Sequence, residues 1–109
     1  MTNDIANRIA AVIDTTRTYD FPFLADETTK EAVIRAKKAS IEDQFRHIAP
    51  VWPGDALLAQ WWAESAAAAA ACFDSLPPKA RINGFYLQEL MHRYAACIGK
   101  FILSENQGE

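Results

Sequence analysis

Leu57-Leu58-Ala59-Gln60-Trp61-Trp62-Ala63-Glu64-Ser65-Ala66-Ala67-Ala68-Ala69-Ala70-Ala71-Cys72-Phe73 decides the fold of this chain. It carries one charge, Glu64, and runs on to Leu76 before Pro77-Pro78 stops it. Alanine is the strongest helix former and neither Gly nor Pro interrupts, so the stretch reads as helix. At helical spacing Leu58, Trp62, Ala66, Ala69, Phe73 and Leu76 form one side. Leu57, Trp61, Ser65, Ala68 and Cys72 form the flank beside it, and Gln60, Glu64, Ala67, Ala71 and Asp74 the strip expected to face water. A helix this apolar all round needs burial on more than one side, within the chain or against another.

The neighbouring segments continue the helical pattern. Ile5, Ile9, Val12 and Ile13 recur at three- and four-residue steps and predict a helix over about 3–16, with Asp4, Arg8 and Arg17 turned away. Thr28 and Glu31 match a capping box opening a second helix to about 48. Its core line is Ile34, Ile41, Phe45 and Ile48; Glu31–Arg35 and Lys38–Glu42 have the spacing of ion pairs on its wet side. Pro50, Pro53 and Gly54 form a joint, Asp55 is placed to cap the third helix over 55–76, and Trp52 would plug the bundle end. A last helix over 83–103 sets Leu87, Leu90, Tyr94, Cys97 and Phe101 on one line, with Met91, Ala95, Ile98 and Ile102 beside it. Gln88, Glu89, His92, Arg93 and Lys100 form its polar side, and 104–109, without an apolar residue, reads as a frayed tail.

These elements give an all-α fold, one domain over 1–109, whose last two helices form a long antiparallel hairpin. Ala66, Ala69, Phe73, Leu87, Leu90, Tyr94, Ile98 and Phe101 are its expected packing residues, shared between the hairpin and a second copy that completes a four-helix dimer core.

Composition narrows the function. Of 109 residues 50% are hydrophobic and 23% charged, the balance of a folded chain, and the net charge of −3 argues against bulk binding to nucleic acid or an anionic membrane. The basic residues Arg35, Lys37, Lys38, Arg46 and His47 are interleaved with acidic ones and read as a solvated face. Met1-Thr2-Asn3-Asp4 has no basic start of a signal peptide, and Gln60, Glu64 and Ser65 break the central run as a membrane span. A cytoplasmic location is therefore expected, with Cys72 and Cys97 as reduced core residues.

No phosphate loop, nucleophile elbow or zinc-spaced cysteine pair occurs, and His92 and Cys97, five apart, diverge on their helix. Neither an enzyme nor a cofactor is expected. The one metal motif is Glu89-x-x-His92 facing Glu64, half of a di-iron carboxylate site that a dimer would complete; both strips read as solvent-facing, against a metal. Trp61 and Trp62 lie about 100° apart on their helix, so one can enter the core while the other faces outward. With Leu57, Leu58, Phe21 and Phe23 they make up the expected partner-binding set, since tryptophan is enriched at binding hot spots.

A long helix ending in Phe73-Asp74-Ser75-Leu76-Pro77-Pro78, followed by one carrying Tyr86, Met91-His92, Ala95-Ala96 and Ile98-Gly99-Lys100-Phe101-Ile102, resembles the helical hairpin of small quorum-sensing antiactivators of the TraM and QslA type. The resemblance spans Ala56 to Ile102. It implies a homodimeric, non-enzymatic protein that binds a LuxR-type transcription regulator and blocks its dimerisation or DNA binding. Two other classes fit the residues: a phage-type inhibitor of a host defence complex, and a ferritin-like di-metal protein.

Overall fold

The computed structural model describes residues 2–18, 27–80 and 83–107, and among them it is all-α, without a strand. Phe21 and Phe23, and the aromatic segment around them, lie outside the described residues. The helices are α1 (Thr2–Thr16), α2 (Glu27–Arg46), α3 (Asp55–Asp74) and α4 (Asn83–Gln107), with a 3₁₀ turn over Pro78–Ala80.

α4 is the hub. All three other helices pack against it and α1 also touches α2; among the described residues the α3 backbone comes close to no helix but α4, and only its Trp62 ring reaches α2, under Lys38. At 25 residues α4 is about 37 Å long, most of the 47 Å long axis. Ring contacts fix its direction relative to α3: Trp61 meets Phe101, Trp62 meets Tyr94 and Phe73 meets Tyr86, so the two helices run antiparallel. α1 also runs against α4, with Ile9 and Ile13 beside Gly99 and Thr16 beside His92.

The core is the apolar stripe of each outer helix laid on α4: Ile9 and Val12 from α1, Ile41 and Phe45 from α2, Leu58 from α3, against Met91, Tyr94, Ala95, Ile98 and Ile102. The expected hairpin residues Ala69, Leu87, Leu90, Tyr94 and Ile98 are buried, and Ala66, Phe73 and Phe101 are half-buried. Gly99 sets how closely α1 approaches. A Cβ there would stand 2.7 Å from Ile9 Cγ2 and 3.1 Å from Ile13 Cδ1, so the backbone of α4 serves as packing surface.

Several helix ends differ from the sequence pattern. α2 begins at Glu27, which puts Thr28 inside the first turn, not at its cap. It stops at Arg46, and Ala49 N–H closes on the Phe45 carbonyl at 2.9 Å before Pro50 excludes further helix. Gly54, in extended conformation, is the N-cap of α3; Asp55 sits one residue inside, where its carboxylate faces the positive helix end. α3 ends at Asp74 because Ser75 caps it, its N–H and Oγ both bonding the Cys72 carbonyl. The expected frayed tail is helical through Gln107, since nothing from Ser104 to Gln107 breaks the ladder and the next glycine is Gly108. No helix among the described residues is long and apolar enough to cross a membrane.

Candidate interaction site on α3 and α4

α3 is held along one arc, against α4 and under Lys38 of α2. Its rings grip α4 at three points: Trp61–Phe101 at 5.6 Å, Trp62–Tyr94 edge-on at 4.9 Å and Phe73–Tyr86 edge-on at 6.1 Å. Between the last two contacts Ser65 and Ala69 meet α4 and are buried. The opposite arc is open: Ala56, Ala59, Ala63, Ala67 and Ala71 are exposed, with Gln60, Glu64 and Asp74 among them. Gln60 donates to Glu64 Oε2 at 3.0 Å, so these two polar residues gather at one edge of an alanine ridge.

Among the described members of the sequence-derived partner set, only Leu57 stands out into solvent, 38% exposed. Leu58 is core, 6% exposed, because it lies at the centre of the arc that faces α4. Trp61 and Trp62 are both half-buried. Trp62 also lies under the Lys38 ammonium, 5.5 Å from its ring. Sequence reasoning missed two further exposed apolar residues, Val51 at the joint and Phe85 at the start of α4.

A groove runs between α3 and α4, lined among the described residues by these two helices. One part, about 430 Å³, is bounded by Trp61, Glu64, Cys97, Lys100, Phe101 and Ser104. The adjoining part, about 320 Å³, is bounded by Glu64, Ser65, Ala68, Arg93, Ala96 and Cys97.

The ion pair expected on the wet side of α2 is the main correction to the polar map. Lys38 does pair with Glu42, Nζ to Oε2 at 2.7 Å, but the Glu42 side chain is only 16% exposed. The same oxygen accepts the Tyr94 hydroxyl from α4. Burial, then the Glu42 hydrogen bond and charge, hold the Tyr94 phenol far above its ordinary range, so it stays protonated. Lys38 is also 5.5 Å from the Tyr94 ring, which makes this cluster a joint between α2, α3 and α4. Beside it Arg46 stacks 4.9 Å over Trp52, half-buried against the core.

The polar side expected on α4 also turns inward in part. His92 packs under the end of α1, because α4 is central and α1 covers this row. Thr16 donates its hydroxyl to the Ile13 carbonyl at 2.6 Å, leaving its oxygen to accept from His92 Nδ1 at 3.3 Å. Nε2 then accepts from the Arg17 guanidinium at 3.3 Å. Gln88 completes the seam by donating to the Arg17 carbonyl at 2.9 Å.

The metal candidates therefore go to three different places. His92 faces α1, Glu89 is held by Arg93 at 2.7 Å, and Glu64 lies with Gln60 on α3. Among the described residues no three His, Cys, Asp or Glu side chains are grouped to hold a metal ion. No family model matches the chain, and no curated protein or solved structure matches it either.

Proposed function

We propose that this chain is a non-enzymatic protein-binding module that offers the outward face of α3 to a helix of another protein. One observation carries the reading: a helix apolar around most of its circumference packs along one side, on α4 and under Lys38 of α2, and leaves its alanine ridge uncovered. Alanine adds little transfer energy, so the ridge supplies close backbone approach and shape, in the manner of a helix laid in a groove. Leu57 is the anchor, since burying an exposed leucine is worth about 2 kcal/mol. The resting seam of rings on α4 keeps the ridge straight and presented.

The finer reading is a cytoplasmic antiactivator that sequesters a LuxR-type transcription regulator. The ridge would occupy the apolar surface through which the regulator dimerises, and inhibition would follow from mass action, because regulator held in the complex leaves the dimer equilibrium. The hairpin resemblance and the acidic composition support this choice of partner. The test is a gel-shift assay of a purified LuxR-type regulator on its operator. The chain should abolish the shift and Ala63→Glu should restore it; a shift unaffected by the wild-type chain overturns the regulator reading.

A further inference from the structure

Ring packing sets how far apart α3 and α4 stand, and small residues then leave part of the seam unfilled. Trp61 and Phe101 meet at 5.6 Å and Trp62 and Tyr94 at 4.9 Å, so aromatic bulk spaces the two helices. Beside these rings the seam is lined by Ala68, Ala96 and Cys97, which are too short to close the same gap. The cavity of about 430 Å³ at the Trp61 and Phe101 end follows from that mismatch, and its volume is that of a small-molecule site.

Opposite charges face this cavity without meeting. Glu64 stands on its α3 wall and Lys100 on its α4 wall, and both are exposed. Among the described residues Lys100 joins no ion pair; the pairs are Arg8–Asp4, Lys38–Glu42 and Arg93–Glu89. Glu64 takes a hydrogen bond from Gln60 on Oε2, which leaves its other oxygen able to accept. Ser104, one turn beyond Lys100, adds a hydroxyl to the basic side.

A ligand for this cavity has to answer both charges. An anion alone is repelled by Glu64, a cation alone by Lys100, and an uncharged apolar molecule strands the two. A zwitterion satisfies both walls, and the Trp61 and Phe101 rings favour one with an aromatic body. We propose that the groove binds a free aromatic amino acid. Its ammonium goes to Glu64, its carboxylate to Lys100 and Ser104, and its ring lies against Trp61 and Phe101.

This site is separate from the alanine ridge, and the two assignments fail separately. Isothermal titration calorimetry of the intact chain with L-phenylalanine and L-tryptophan tests it, with circular dichroism to confirm the fold of each variant. At least one of the two should bind saturably, with a Kd of about 1 mM or below. The N-acetyl form of that amino acid, without the ammonium, and its amide, without the carboxylate, should each bind about tenfold more weakly. Glu64→Gln and Lys100→Gln should each weaken binding about tenfold as well. Ala63→Glu on the ridge should leave it unchanged. No saturable binding by either amino acid, blocked forms that bind as well as the parent, charge variants that bind like wild type, or a ridge variant as weak as they are overturns the proposal.

Discussion

The Tyr94 hydroxyl on α4 donates to the Glu42 carboxylate on α2, and Lys38 closes on the same oxygen from one turn away. Three helices are tied at this point, since the Lys38 ammonium also faces the Trp62 ring of α3. Tyr94→Phe keeps the ring packing and removes only the hydroxyl, leaving Glu42 its lysine. Urea denaturation at neutral pH should register a loss of about 1 kcal/mol; no loss would make the contact incidental.

The same pair gives a pH signature. An unfolded tyrosine ionises near 10.0, whereas burial and Glu42 keep the folded Tyr94 protonated well above that. Its contribution is fully present below pH 10 and is lost as pH rises further, because only the unfolded chain gives up the proton. Relative to Tyr94→Phe, wild-type stability should fall above pH 10 by up to about 1.4 kcal/mol per unit. Parallel curves for the two proteins through pH 11 would contradict the assignment.

Gly99 makes the opposite case to helix propensity. In an exposed helix Gly→Ala gains about 1 kcal/mol. Here the added methyl meets Ile9 Cγ2 at 2.7 Å, on a β-branched side chain that has little freedom to turn. Gly99→Ala should therefore destabilise by about 1–2 kcal/mol net, read as a lower thermal midpoint. A raised midpoint would mean that α1 does not sit where described.

Trp62 should separate from Leu57. Trp62→Ala removes an edge-on contact with Tyr94 and the cover over Lys38, and should cost about 2–4 kcal/mol. Leu57→Ala, at an exposed position, should change stability by less than about 0.5 kcal/mol while weakening partner binding. Equal stability losses would place Leu57 in the core.

Much of α3 is legible from its sequence because a 3.6-residue period assigns faces directly. Gln60, Glu64, Ala67, Ala71 and Asp74, read as the wet strip, are all exposed. The period does not say which neighbour covers a given arc. Lys38 and Glu42 are recognisable as neighbours on one helix, but only the arrival of Tyr94 and Trp62 from elsewhere makes the pair half-buried. His92 reads as polar surface for the same reason, until α1 is laid over it. Gly99 carries no local signal at all: its role exists only when Ile9 and Ile13 approach.

The central claim, that the alanine ridge of α3 is a protein-contact surface, is tested most directly by placing a photo-crosslinking amino acid at Ala63 and, as a control, at the exposed Ala36 of α2. Irradiation in a lysate of the native cells, followed by mass spectrometry of the adducts, should give a discrete adduct with a transcription regulator from position 63 and none from position 36. Indistinguishable adducts from both positions, or none from position 63, would contradict the account.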